Sequence, residues 1–155
     1  MFPGFKLPTP ATNTEPRPLW EKIRPYLNEC REISHTKALR DGLTSGRARL
    51  ITRGSELSPT ILKSQARQAK DSVYIDTGDG RYLLPSLRLL RFLNGIPEDL
   101  HLDNVSAELA CEIVGQSIEY PMHKQLMRAL YAHIGENVGP HAVVTISNHT
   151  HNAQE

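Results

Sequence analysis

Apolar side chains recur every three or four residues in four segments of the chain, a spacing typical of helices with one buried face. The first predicted helix begins near Pro18 and is kinked or ended by Pro25, because proline lacks the amide hydrogen that a helix interior needs. Two more begin at Ser86 and Ser106, whose hydroxyl groups suit the N-cap position. The last begins at Pro121, since proline is favoured in a first helical turn.

Glycine marks the predicted ends of the C-terminal helices. The helix that begins at Ser86 is predicted to end at Asn94 and Gly95, and the next one to stop at Gly115. The final helix carries one apolar stripe, formed by Met122, Leu126, Met127, Leu130, Tyr131 and Ile134. The sequence shows no obvious cover for this stripe, so we expect it to promote association with a partner.

The middle of the chain has the pattern of short strands. Residues 41–56 are predicted to form strands between glycine turns, one at Leu43 and one at residues 48–52. The clearest hairpin joins residues 71–75 to residues 81–84, because the turn between them holds two glycines that can adopt positive φ angles.

These elements divide the chain into four predicted segments. Residues 1–18 form an extended, proline-punctuated arm, residues 19–85 a small β-rich region, residues 86–135 a helical region, and residues 136–155 a polar tail. The predicted fold class is therefore mixed α+β.

Composition excludes several classes of protein. The chain has 155 residues, of which 39% are hydrophobic and 23% charged, as in an ordinary globular domain. No apolar run approaches the roughly 18 residues of a membrane helix, and no basic-then-apolar signal segment opens the chain. Two cysteines, Cys30 and Cys111, are too few for a disulfide framework or a four-ligand zinc site. We therefore expect a soluble, reduced, cytoplasmic protein with no membrane partner and no metal site.

The net charge of +1 conceals an uneven distribution. Residues 1–80 hold 13 basic and 9 acidic side chains, whereas residues 81–155 hold 5 and 8. Between Lys37 and Lys70, eight basic side chains face only Asp41 and Glu56. Such an excess suits a polyanion. The alternative is a solvated surface whose charges point in several directions.

Two segments within residues 81–121 carry sequence motifs in addition to helical periodicity. The first comprises Arg81-Tyr82-Leu83-Leu84-Pro85, then Arg88, then Leu93-Asn94-Gly95-Ile96-Pro97-Glu98-Asp99, and the second comprises Ile113-Val114-Gly115-Gln116-Ser117-Ile118-Glu119-Tyr120-Pro121. In this order and separation they resemble the last two conserved blocks of the DNA cytosine-5 methyltransferases. Upstream, Ser58-Pro59-Thr60-Ile61 is similar to the threonine-containing dipeptide of that family's target-recognition region.

The resemblance covers about residues 2–135 and includes clear departures from the family pattern. Leu89 stands where the family has glutamate, and Gln116 replaces the usual asparagine. The family's Phe-x-Gly-x-Gly cofactor loop, its Glu-Asn-Val motif and its Gln-x-Arg-x-Arg motif are missing. Its Pro-Cys nucleophile pair is missing too, because Cys30 follows Glu29 and Cys111 follows an alanine.

The resemblance implies the C-terminal portion or small subunit of a DNA cytosine-5 methyltransferase, as found in restriction–modification systems. No catalytic residue is then expected in this chain, and a partner chain supplies the Pro-Cys nucleophile. The final helix would pack on a Rossmann-like methyltransferase domain outside this chain. Gln116, Ser117 and Ile118 would close over S-adenosylmethionine, shared with the partner. The alternative for these three residues is an ordinary helix cap that uses Ser117 or Glu119.

The resemblance also implies contacts with double-stranded DNA, in which basic side chains neutralise phosphates and Thr60 reads base edges. The predicted DNA-binding residues are Arg47, Arg49, Arg53, Thr60, Lys63, Arg67 and Arg88. Two alternatives remain at this point: a non-enzymatic DNA-binding or regulatory fragment, and an inactive truncated remnant.

Overall fold

The structure is a computed structural model that describes residues 5–8, 18–102 and 104–137. Most of the predicted arm at residues 1–18 and nearly all of the predicted tail at residues 136–155 lie outside these ranges. The chain forms two compact units, one made of residues 10–123 and one made of residues 1–9 with 124–155.

The described residues form a mixed α+β structure, as predicted. The α-helices are α1 (Leu19–Ile23), α2 (Lys37–Thr44), α3 (Leu87–Leu93), α4 (Ala107–Gln116) and α5 (Tyr120–Asn137). The strands are β1 (Arg31–Glu32), β2 (Arg49–Ile51), β3 (Val73–Asp76) and β4 (Tyr82–Leu84). Two 3₁₀ helices cover Arg24–Glu29 and Lys63–Arg67.

The four strands described form one sheet in the order β1-β4-β3-β2. The predicted hairpin is confirmed: β3 and β4 are antiparallel, with Ile75 opposite Leu83. The strand predicted at residues 48–52 is also confirmed as β2, which lies parallel to β3 with Ile51 opposite Ile75. A parallel pair needs a crossover connection, and residues 52–72 supply it through the second 3₁₀ helix.

The predicted strand at Leu43 is wrong, because this residue lies in α2 and is exposed. Leu39 and Gly42, three residues apart, are the buried positions of the helix. A side chain at Gly42 would overlap the backbone carbonyl of Lys70, so this glycine lets α2 pack closely against the backbone at Lys70. The glycine that suggested a strand break is therefore a packing contact within a helix.

Residues 73–75 of β3 are apolar without interruption because side chains on both faces of this strand are buried. Val73 and Ile75 point into the larger core, together with Ile23 of α1, Leu90 of α3 and Val114 of α4. Tyr74 points to the opposite face, into a smaller core with Leu39 of α2, Ile33 and Leu84. Side chains alternate along a strand, so one short strand supports both cores.

Capping residues fix α3 and α4 as predicted. The hydroxyl of Ser86 accepts a hydrogen bond from the Leu89 amide, and that of Ser106 accepts one from the Leu109 amide. Helix α3 ends at Leu93 with Asn94 as its C-cap, in agreement with the predicted end at Asn94 and Gly95. The predicted stop at Gly115 is wrong, because α4 continues through it to Gln116.

A buried carboxamide ties the second 3₁₀ helix to the sheet. Gln65, only 1% exposed, donates from Nε2 to the Val73 carbonyl and accepts at Oε1 from the Val73 amide, both at 2.8 Å. Strand β4 ends at Leu84, and the next residue, Pro85, has no amide hydrogen to offer β3. The Gln65 side chain thus pairs with backbone groups of Val73 in place of another strand.

No helix in the ranges that the structure describes is long and apolar enough to span a membrane.

Replacing Gln65 with leucine is expected to lower the free energy of unfolding by about 1–3 kcal/mol, because the variant buries an unpaired amide and carbonyl at Val73. Urea denaturation followed by circular dichroism measures the change. Gln125→Leu, the same exchange on α5, serves as the control and is expected to alter the stability by no more than about 0.5 kcal/mol. Equal effects of the two variants would show that the Gln65 pairing contributes no special stability.

Candidate functional site

The two segments that carry the methyltransferase resemblance contact each other in the structure. Asn94, at the end of α3, donates from Nδ2 to the Val114 carbonyl at 2.8 Å and to the Ser117 hydroxyl at 3.3 Å. Its own carbonyl accepts a hydrogen bond from the Tyr120 amide at 3.0 Å. One asparagine therefore joins the end of α3, the end of α4 and the start of α5.

Gly95 completes this junction because it lies directly against Pro121. Its φ angle of +61° is in the left-handed region, which glycine adopts without strain. A Cβ atom at this position would lie 2.5 Å from Pro121 Cδ. Both the backbone angle and the available space therefore require glycine between the two segments.

The three predicted cofactor-binding residues lie at this junction and are exposed. Gln116 ends α4 and donates to Glu112 Oε1 at 2.9 Å. The Ser117 hydroxyl donates to the Val114 carbonyl at 2.7 Å, and the Ile118 side chain is 58% exposed. The helix-cap alternative holds for Glu119, whose Oε2 accepts from the amide of Met122 in the first turn of α5.

A shallow apolar surface adjoins these residues. A cavity of about 440 Å³ is lined by Leu109, Glu112, Ile113, Gln116 and Ser117. Leu109 and Ile113, one helical turn apart on α4, are both exposed. All of these residues come from α4 and its C-terminus, so they form a single wall.

Gly115 connects this wall to residues 60–67, which include the predicted DNA-binding residues Thr60, Lys63 and Arg67. A Cβ atom on Gly115 would overlap the backbone of Leu62 and Lys63, which precede or begin the second 3₁₀ helix. The absence of a side chain therefore lets α4 pack directly on that segment. Two of the predicted DNA-binding residues, Arg49 and Thr60, meet beside it, since Arg49 Nη1 donates to the Thr60 carbonyl at 2.9 Å.

Acidic residues from outside residues 37–70 neutralise part of the predicted basic stretch. Arg47 pairs with Asp71 at 3.1 Å, and Arg67 pairs with Glu108 of α4 at 3.3 Å. Both arginines remain exposed, with 72% of the Arg67 side chain accessible. The linear charge count therefore overstates the local excess of positive charge.

Arg88 lies in another cavity, formed by the first 3₁₀ helix, α3 and the residues that follow α3. It pairs with Glu29 at 2.8 Å and with Glu98 at 3.7 Å, and its guanidinium carbon lies 5.3 Å from the centre of the Tyr26 ring. Tyr26 in turn stacks on Phe92 at 5.0 Å. This predicted DNA contact thus has two carboxylates and an aromatic ring beside it.

Arg53 lies in a third cavity, where its guanidinium carbon is 5.6 Å from the centre of the Trp20 ring. Arg24 and Arg81 line the same cavity. Both lie outside the basic stretch at residues 37–70 and are not among the predicted site residues. No local motif could have found them, because the three arginines are brought together only by folding.

The two cysteines are not activated in the structure. Burial is the largest effect on the pKa of both the Cys30 and the Cys111 thiol and raises each above its ordinary value. The Cys30 thiol donates to the Tyr26 carbonyl at 3.3 Å. Burial that favours the neutral thiol is the opposite of what a nucleophilic cysteine needs.

A comparison with protein families, with curated proteins and with solved structures finds no match for this chain.

Gly95→Ala is expected to destabilise the protein more than Gly46→Ala, which serves as the matched control. Both glycines have positive φ angles, of +61° and +66°, but nothing lies within 4 Å of a Cβ atom at Gly46. Each variant is expected to lose about 1 kcal/mol from backbone strain, and Gly95→Ala a further 1–3 kcal/mol or so from the clash with Pro121. Urea denaturation measures both values. Equal losses would contradict close packing at Gly95.

Alkylation of the two cysteines at pH 8 is expected to be slower than that of free cysteine, because their raised pKa values keep the reactive thiolate scarce. The rate is expected to increase as the pH rises above the ordinary thiol pKa. Iodoacetamide labelling followed by peptide mass spectrometry measures each site, with the urea-unfolded chain as control. Labelling of either folded site as fast as in urea would contradict the raised pKa.

Proposed function

We propose that this chain is the C-terminal portion or small subunit of a DNA cytosine-5 methyltransferase. It contributes DNA target recognition and part of the S-adenosylmethionine pocket, while another cytoplasmic chain supplies the catalytic cysteine. The observation that carries the proposal is the contact of Asn94 and Gly95 with residues 114–121. The two segments that resemble the methyltransferase blocks are separated in sequence, and they meet at one junction where Gln116, Ser117 and Ile118 are exposed.

The properties of the two cysteines explain why another chain must supply the nucleophile. Methylation at carbon 5 of cytosine requires a thiolate that adds to carbon 6. Neither Cys30 nor Cys111 suits this role, since burial raises the pKa of both. S-adenosylmethionine, when bound, supplies the methyl group. Gln116, Ser117 and Ile118 close one side of its pocket and exclude water there.

The segment from Thr60 to Arg67 is the proposed DNA-reading element. Arg49 holds the Thr60 carbonyl, and Gly115 lets α4 support the backbone behind Lys63. The Arg67–Glu108 pair is exposed, so exchanging its carboxylate for a DNA phosphate costs little. A charged and supported segment of this kind can bind along a duplex backbone and present Thr60 to the bases.

The exposed apolar residues of α4 and its C-terminus suit the partner chain. Leu109, Ile113 and Ile118 lie beside the proposed cofactor wall, and all three are exposed. A Rossmann-like methyltransferase domain docked here would bury them and complete the pocket at the same time. The occupant we propose for this surface is therefore the chain that carries the Pro-Cys pair.

A non-enzymatic DNA-binding protein is the second candidate. The compact unit of residues 10–123 favours it, because one core joins α1, the sheet, α3 and α4 without a partner. Such a protein would bind DNA with the same residues. It would not restore methyl transfer to a methyltransferase chain that has the Pro-Cys pair but lacks the two C-terminal blocks, whereas the proposed subunit would.

Lys63→Gln with Arg67→Gln is expected to weaken duplex binding and to reduce the slope of log K against log salt by about 1.8, or about 0.9 for each lost phosphate contact. Fluorescence anisotropy of a labelled duplex between 50 and 200 mM salt, roughly the range over which such binding falls steeply, measures both quantities. The control is Lys6→Gln with Arg128→Gln, which removes two exposed charges outside residues 37–70.

Equal slopes for the two double variants, or no duplex binding by the natural chain, would contradict the DNA-reading role. In the same preparations, tritiated S-adenosylmethionine is expected to label no DNA when this chain is alone. Incorporation by the isolated chain would overturn the proposed division of labour.

A further inference from the structure

Three arginines from separate parts of the chain line one cavity of about 420 Å³. Arg24 begins the first 3₁₀ helix, Arg53 follows β2, and Arg81 immediately precedes β4. The other residues that matter here are Trp20, Thr77 and Asp79. The cavity therefore collects positive charge from three elements.

Among the described residues, Asp79 is the only carboxylate that lines this cavity, and it is already bound. Its Oδ2 accepts from Arg81 Nη2 at 2.8 Å and from Arg81 Nε at 2.9 Å, and its Oδ1 accepts from the Thr77 hydroxyl. These hydrogen bonds hold the pKa of Asp79 well below its usual range. Asp79 consequently stays ionised and neutralises Arg81, leaving the other two arginines without its charge.

Within the described part of the chain, neither Arg24 nor Arg53 forms an ion pair. Arg53 is nevertheless restrained, because its guanidinium lies over the ring of Trp20. Two like charges that share one concavity repel each other, and an anion bound between them removes that repulsion. The geometry thus favours an anionic ligand.

We propose that this cavity binds a phosphate group, held by Arg24 and Arg53 against the wall formed by Arg81 and Asp79. A planar guanidinium donates two parallel hydrogen bonds to phosphate oxygens. The non-bridging oxygens of a phosphate can accept from both guanidinium groups at once. The phosphate site rests on the geometry of the cavity. Its assignment to the backbone of duplex DNA rests on the proposed function.

The chain's single tryptophan, Trp20, lies in this cavity and reports directly on its occupancy. Titration with duplex DNA and, separately, with inorganic pyrophosphate is expected to change the Trp20 emission in a saturable way with at least one of the two. Arg24→Gln with Arg53→Gln is expected to weaken that binding roughly ten- to hundredfold, the loss of charge-assisted hydrogen bonds. Arg24→Lys keeps the positive charge but cannot donate two parallel hydrogen bonds, so an intermediate loss of affinity is expected.

The control, Lys6→Gln with Arg128→Gln, removes the same charge elsewhere and is expected to leave the titration unchanged. Circular dichroism checks that every variant is folded. A response to DNA alone assigns the site to a backbone phosphate, and a response to pyrophosphate alone assigns it to a free phosphate ligand. No response to either ligand, or the same loss in the control, would overturn the proposal.

The anisotropy of the labelled duplex separates this proposal from the proposed function. Duplex binding without any Trp20 response would remove the phosphate site and leave the DNA-reading role intact. A Trp20 response to pyrophosphate without duplex binding would support the phosphate site and contradict the proposed function.

Discussion

The hydrogen bonds between the Gln65 side chain and the backbone of Val73 determine where the candidate site can lie. They hold the second 3₁₀ helix against β3 at the point where the hairpin offers no further strand partner. The proposed DNA-reading residues Lys63 and Arg67 belong to that helix. Because both polar atoms of Gln65 are buried and paired, a shift of the helix would leave several groups unsatisfied. The position of the second 3₁₀ helix is therefore fixed relative to the sheet.

Close backbone contacts at two glycines transmit this placement to the rest of the site. Gly115 brings α4 onto the start of the second 3₁₀ helix, and Gly95 brings the end of α3 onto Pro121. Asn94 then links the ends of both helices to the first residue of α5. The proposed DNA-reading segment and the proposed cofactor wall consequently share α4 as a common support.

The positions of charged residues along the sequence are a poor guide to which charges are neighbours in the folded structure. The basic stretch at residues 37–70 loses part of its excess to Asp71 and Glu108, which lie outside it. Conversely, Arg53 gains Arg24 and Arg81 as neighbours in one cavity, although both lie beyond that stretch. Electrostatic interaction depends on distance in space, and the fold sets those distances without regard to position along the chain.

The sequence by itself determined the elements whose hydrogen bonds close within a few residues. The caps at Ser86 and Ser106 and the β3–β4 hairpin are of this kind, because each depends on nearby backbone angles and side chains. Only the tertiary structure decided that Leu43 belongs to a helix, that β2 runs parallel to β3, and that α4 continues through Gly115. In each of these the deciding contact comes from a distant part of the chain, such as the Lys70 carbonyl at Gly42 or the Leu62 backbone at Gly115, and local propensity carries no information about it.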